Sequence, residues 1–341
     1  MIRPLLGTIT LACLTSCAAP TPAPTTAYFD NTGRTDTYSG GVRRIPVTTA
    51  SGTYTVWTKR VGNNPTIKVL LLHGGPGMTH EYFEPADMYL PAAGIEYYYY
   101  DQLGSFYSDQ PSDTSLWNIP RFVDEVEQVR QALGLTKDNF YLLGHSWGGM
   151  LAMEYALKYP ANLKGLIVSS MMSSIPAYND YAKNVLMPAM DQTALAEAKA
   201  LEAKEDYGNP RYLELLIPNH YEKHFLRKPF AEWPDPVLRA MNHVNNAIYI
   251  PMQGPSELGA SGKLVNWDRS ADLKMIPVPT LVIAGQHDTM DPAHMASMAK
   301  EFPKGRLLSL PNSGHMAMYD DQAAYFGGLI QFLKDVDGGK F

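Results

Sequence analysis

Three residues carry the clearest chemical potential in this chain: Ser146, Asp288 and His315, in that order. A serine hydroxyl is a poor nucleophile at its own pKa. It needs a histidine to take its proton and an acid to orient that histidine. Ser146 stands in YLLGHSWGGM, residues 141–150, where an apolar run passes through Gly144-His145-Ser146-Trp147-Gly148 into a helix-forming stretch. G-x-S-x-G alone is a weak signal, and a tight turn with a bystander serine is its bland reading. Placed between strand and helix, it describes a sharp elbow that needs small residues on both sides.

Asp288 follows the strand-like LVIAG of residues 281–285. Asp291-Pro292 close by reads as an N-cap and first helical residue. His287 precedes the acid, which leaves it poorly placed to act as base. His315 lies behind Asn312-Ser313-Gly314, in the loop after the last expected strand. A tetrahedral intermediate also needs donors for its oxyanion. One expected donor is the Trp147 N–H. The other belongs to the turn His73-Gly74-Gly75-Pro76-Gly77, with Gly75 favoured and Gly74 the near alternative. A phosphate cradle would call for G-x-x-x-x-G-K-[ST] or G-x-G-x-x-G, and neither is present.

The elements that must hold these residues read as α/β. Residues 41–62 predict two strands around Ala50-Ser51-Gly52. IKVLLLHGGPG and IEYYYYDQLG are buried strands that end in turns. Residues 120–133 form an amphipathic helix, with Phe122, Val126, Val129 and Leu133 on one face and Gly134 at its end. Strand and helix then alternate through NFYLLGHS, WGGMLAMEYALKYP and LKGLIVSS. The apolar strands lack alternation, so a mostly parallel sheet covered on both faces is expected. From residue 172 to 270 the pattern turns helical and proline-rich, which predicts a helical cap inserted between the core segments 40–171 and 271–341. The tyrosines of EYYYYDQ read as strand residues packing on both faces. Gly327-Gly328 weakens the last helix without an evident purpose.

The chain has 341 residues, 45% of them apolar, with a net charge of −6. That suits a large globular core, and the mild acidity gives no support to nucleic-acid binding. The N-terminus MIRPLLGTITLACLTSC resembles a bacterial lipoprotein signal over residues 1–16, with Cys17 as the lipidated first residue of the mature protein. Residues 17–39, which contain APTPAPTTA, read as a lipid-anchored tether and lead-in. The expected location is the cell envelope, lipid-anchored and facing the periplasm or exterior. The alternative is cleavage near Ala18 or Ala19 and a soluble periplasmic or secreted protein. The chain's two cysteines are Cys13 and Cys17, so the folded domain can form neither a disulfide nor a thiolate site.

HGGPG, YDQLGS, GHSWGG, GQHD and SGH together resemble the proline iminopeptidase family of α/β-hydrolases, from about residue 40 to 335. The resemblance implies an α/β-hydrolase fold with an inserted cap. It implies a serine aminopeptidase that releases an N-terminal proline or other small or apolar residue from short peptides or aminoacyl amides, through an acyl-enzyme. It also implies that MQGPSELGASG carries the acid that binds the substrate's free amine, which makes Glu257 that residue. A buried carboxylate opposite an ammonium selects unblocked N-termini. Some relatives have a second acid where this chain has Thr289. Many have arginine where this chain has Leu103, and many have glycine where it has His145. These departures lean toward the aminopeptidase and amidase relatives of broader range.

An L-amino-acid amidase or an esterase with the same triad is the alternative, and a non-catalytic binding lipoprotein is the third reading. No cofactor is expected. His220 and His224 have metal-like i, i+4 spacing but no third ligand, so no metal is expected either.

Overall fold

The computed structural model describes residues 39–341 together with 28–30, 33, 34 and 36. Residues 1–16, read above as a signal peptide, Cys17 and the start of the segment read as a tether lie outside the described residues. Eight strands form one sheet: β1 (Val42–Thr49), β2 (Gly52–Val61), β3 (Lys68–Leu72), β4 (Glu96–Asp101), β5 (Phe140–His145), β6 (Gly165–Ser169), β7 (Thr280–Gly285) and β8 (Gly305–Leu310). Their order is β1-β2-β4-β3-β5-β6-β7-β8. The β1–β2 and β2–β4 pairs are antiparallel and the rest are parallel.

Every residue of β4, β5, β6 and β7 is buried, which is why these strands, apart from the terminal Glu96 and Asp101 of β4, are mostly apolar or aromatic without alternation. The edge strand β8 departs from this, with alternating exposure along its length. The tyrosines of β4 divide between the faces: Tyr98 and Tyr100 join one apolar core, Tyr97 and Tyr99 the other.

Four long helices flank the sheet: α1 (Ile119–Ala132), α2 (Trp147–Lys158), α3 (Pro292–Glu301) and α4 (Gln322–Asp337). Asn118 caps α1 by accepting from the Arg121 amide, and Asp291 caps α3 by accepting from the Ala293 amide. Gly328 has its explanation in the α4–β8 contact. A Cβ there would stand 2.4 Å from a Leu308 methyl, so glycine lets helix and strand close up.

Between β6 and β7 the described residues form helices and turns, with one isolated bridge, Ser174–Asp268. The helices include Ile175–Tyr181, Gln192–Glu202, Asp235–Asn242 and Asn246–Met252. The stretch that reads as one helix from Asn209 is α-helical over Pro210–Leu216 and widens to a π-helix over Ile217–Phe225. Pro218 has no amide to donate to Glu214 and its ring crowds that carbonyl, so the ladder reforms one residue wider.

Candidate active site

The C-terminal ends of parallel strands β3, β5 and β7 lie at one edge of the sheet, where a doubly wound fold places its ligand. β5 delivers Ser146. Its backbone is held at φ 56°, ψ −128°, a left-handed conformation that costs free energy unless its surroundings enforce it. The enforcement is visible. The Ser146 amide donates to the Ser169 carbonyl at 3.0 Å, and the Gly149 amide donates to the Ser146 carbonyl at 2.7 Å. The flanking glycines are obligatory by contact. A Cβ on Gly144 would lie 1.9 Å from the Gly148 oxygen, and one on Gly148 would lie 2.1 Å from the Leu72 oxygen.

β7 delivers Asp288, and the loop after β8 delivers His315. Their side chains meet with His315 Nδ1 2.7 Å from Asp288 Oδ1. Asp288 is 0% exposed and His315 1%, whereas Ser146 keeps 8%, so the serine is the most open of the three. Burial pushes the Asp288 carboxyl up, but the His315 charge and hydrogen bond outweigh it and hold it below its usual value. Burial likewise pulls His315 down. The Asp288 charge, the hydrogen bond and the charge of Glu257 outweigh it and hold His315 above its usual value. Thr289 is buried beside this pair. Its hydroxyl donates to Asp288 Oδ1 at 3.2 Å and lies 3.2 Å from His315 Nδ1. The Met290 amide also donates to Asp288 Oδ1, at 3.1 Å. Asp288 Oδ2 has no partner among the described residues.

The turn after β3 packs against the elbow, so that a Cβ on Gly74 would stand 3.0 Å from that of Ser146. Its two candidate donors differ. The Gly74 amide is already engaged, donating to the Tyr82 hydroxyl at 2.6 Å. The Gly75 amide, at φ 108°, has no partner among the described residues. The Trp147 amide opens α2 and has no side-chain cap. His73 braces the turn: Nδ1–H donates to the Gly74 carbonyl at 2.9 Å and Nε2 accepts from the Gln102 amide at 3.1 Å. Gln102 then accepts from the Trp147 indole at 2.9 Å, which ties the DQLG turn to the elbow.

The cap contributes Glu257. Its Oε1 accepts from the Tyr249 hydroxyl at 2.6 Å. Its own carbonyl accepts from Tyr178 at 2.8 Å and from His220 Nε2 at 3.1 Å. Glu257 lines a cavity of about 380 Å³ with Met78, Tyr212, Tyr221, Phe225 and Tyr249. Phe225 connects this cavity to the triad, because its ring stacks on His315 with centroids 5.7 Å apart. Another cavity, about 550 Å³, lies between the β1–β2 turn and α1. Thr289 is absent from the lining of the Glu257 cavity.

His220 serves the Glu257 carbonyl, and His224 Nδ1 pairs with the His287 carbonyl at 2.9 Å. No group of three metal-ligating side chains occurs among the described residues. His287 is exposed. Met78 and Met241 line the Glu257 cavity, whereas Met316 and Met318 beside His315 are core residues. Sequence reasoning did not single out Tyr82, Phe225 or Tyr249. They are aromatic residues in irregular or helical segments, and no spacing marks them as near the elbow or the cap acid.

Comparison with known proteins agrees with this fold. The family model for the α/β hydrolase fold matches residues 68–322. The chain is 56% identical over 296 residues to a proline iminopeptidase of Flavobacterium johnsoniae, covering 87% of this chain and 99% of that one. It is 57% identical over 299 residues to a proline iminopeptidase of Elizabethkingia meningoseptica, with the same coverage. Among solved structures it resembles VinJ, at TM-score 0.79 and 28% identity over 86% of this chain and 99% of VinJ. It also resembles the proline iminopeptidase of Mycobacterium smegmatis, at TM-score 0.76 and 26% identity over 88% of this chain and 100% of that one. The chain belongs to the proline iminopeptidase family of α/β hydrolases and is a serine hydrolase.

Proposed function

We propose that this protein is a serine aminopeptidase that releases an N-terminal proline, or another small or apolar residue, from short peptides and aminoacyl amides. Ser146 attacks the carbonyl while His315 takes its proton and Asp288 holds the imidazole in place. The amides of Gly75 and Trp147 receive the oxyanion. His315 then protonates the leaving amine, and water, deprotonated by His315, releases the amino acid from the acyl-enzyme.

The observation that carries the substrate reading is the placement of Glu257. It is an acid in an aromatic-lined cavity, one of whose lining residues, Phe225, stacks on His315. One carboxylate oxygen is held by Tyr249, and the primary ammonium of an N-terminal residue, or the secondary ammonium of an N-terminal proline, complements its charge. Internal peptide bonds and blocked N-termini bring no cation to that carboxylate. Glu257→Ala is expected to lower kcat/KM on prolyl- and alanyl-naphthylamide by about 100-fold, while a neutral p-nitrophenyl ester loses about two-fold or less. Equal losses on both substrate types would reject the amine anchor and favour a general esterase.

We also propose export and lipid anchoring through Cys17, on the layout of the first seventeen residues. Cys17→Ser should move the protein from the membrane fraction to the soluble fraction. Unchanged fractionation rejects the anchor.

A further inference from the structure

His145 stands beside the nucleophile, fully buried, where an elbow asks only for any residue that fits. Its ring packs against those of Tyr82, Phe83 and His315, and each ring nitrogen has one polar contact. Nε2 lies 2.9 Å from the His315 carbonyl, and Nδ1 lies 3.1 Å from the Tyr82 hydroxyl. A carbonyl can only accept, so Nε2 carries the proton. In a neutral imidazole Nδ1 must then accept, so the Tyr82 O–H donates to it. The Tyr82 oxygen in turn accepts from the Gly74 amide at 2.6 Å. Every donor direction along this path is thereby fixed: Gly74 N–H to Tyr82 O–H to His145 to the His315 carbonyl. Burial, with the His315 charge second, lowers the His145 pKa to about 3, consistent with a neutral ring.

The path joins three separate pieces of chain. Gly74 belongs to the oxyanion turn, His145 to the elbow and His315 to the loop after β8. His73 grips the same turn from the other side by donating to the Gly74 carbonyl. The Gly74 carbonyl and the Gly75 amide share one peptide plane, so holding that carbonyl fixes where the Gly75 N–H points. Tyr82 adds a second hold on the adjacent amide. Removing it leaves a buried amide without an acceptor and frees Gly74 to compete for the space beside Ser146.

We propose that His145, acting through Tyr82, is a positioning residue that sets the oxyanion turn and the His315 loop in register with Ser146. It hydrogen-bonds no triad side chain, and its ring packs on that of His315 with centroids 4.8 Å apart. Its effect is to reserve the Gly75 amide, rather than the Gly74 amide, for the oxyanion. The inference rests on the hydrolase reading of Ser146 and does not depend on Glu257.

The test uses a neutral p-nitrophenyl ester and phenylboronic acid, a small ligand that forms a tetrahedral adduct on a reactive serine. Tyr82→Phe removes one oxygen and keeps the ring. His145→Leu removes both hydrogen bonds, and His145→Gln restores a donor and an acceptor at comparable reach. Tyr82→Phe and His145→Leu should each lower kcat by about 10-fold, against the 100-fold or more for loss of a whole oxyanion donor, and weaken boronate affinity similarly. KM for the ester should stay within about two-fold, and His145→Gln should recover most of kcat. The double variant should lose little more than either single one, because both break the same path. Unchanged kcat and boronate affinity in folded Tyr82→Phe would overturn the proposal. So would fully additive losses, or KM rising in step with falling kcat. A wild-type protein whose Ser146 resists fluorophosphonate and turns over no ester would overturn the hydrolase reading as well.

Discussion

The two sides of the site are built on different principles. On the sheet side, strand ends and amides place the chemistry: β5 sets Ser146, β7 sets Asp288, and glycine contacts as close as 1.9 Å would exclude any other geometry. On the cap side, side chains do the placing. Glu257 is held by the Tyr249 phenol, and its segment by Tyr178 and His220. Backbone framing resists substitution, whereas side-chain framing can be altered one contact at a time. Reactivity and substrate choice should therefore separate under mutation.

The largest effect tests the sheet side alone. Ser146→Ala should lower kcat by roughly 10⁶-fold on aminoacyl amides and neutral esters alike. Asp288→Asn should follow at about 10⁴-fold, again on both, because it spoils the imidazole's orientation and charge partner. Steady-state rates on the two substrate types are the measurement. A loss confined to one type would show that the two sides are not separable.

How much of each side could be read from the sequence follows from the same contrast. Gly144, Gly148, Asp288 and the loop of His315 follow from strand, turn and helix signals, because local chain sterics write them into short motifs. The preference for Gly75 over Gly74 was legible there as well, but the physical reason for it was not. It depends on Tyr82, whose hydroxyl occupies the Gly74 amide from a separate turn of the chain. Asp291 and Gly134 were legible as cap and helix stop for local reasons too. On the cap side, the acid at Glu257 comes only from the family resemblance. Nothing in MQGPSELGASG announces a carboxylate facing a cavity, and the contacts that place it span 8, 37 and 79 residues. The π-helix before Phe225 was hidden as well, since apolar periodicity does not reveal a one-residue shift in the ladder.

A smaller effect sharpens the cap side. Tyr249→Phe removes the single hydroxyl that orients Glu257 Oε1 and leaves the carboxylate in place. Turnover of prolyl-naphthylamide should fall by roughly 10-fold in kcat/KM, and that of a neutral ester should be unchanged. An ester defect of the same size would mean that Tyr249 supports the whole site rather than the amine anchor.

The smallest effect measures what passes between the two sides. In the proposed mechanism His315 must be neutral to act as base, so activity should rise with pH as its proton leaves. Its pKa is held above the ordinary 6.5, with Asp288 the main upward influence against burial and Glu257 a further one. The acid limb of kcat/KM on a neutral ester should therefore have its midpoint above pH 6.5. Removing a negative charge near an imidazolium disfavours that imidazolium, so Glu257→Gln should move the limb to lower pH while leaving the plateau rate nearly unchanged. The neutral ester matters here, because an aminoacyl substrate would mix its own amine titration into the profile. A limb that stays in place in Glu257→Gln would mean that the cap acid acts on the substrate alone and not on the base.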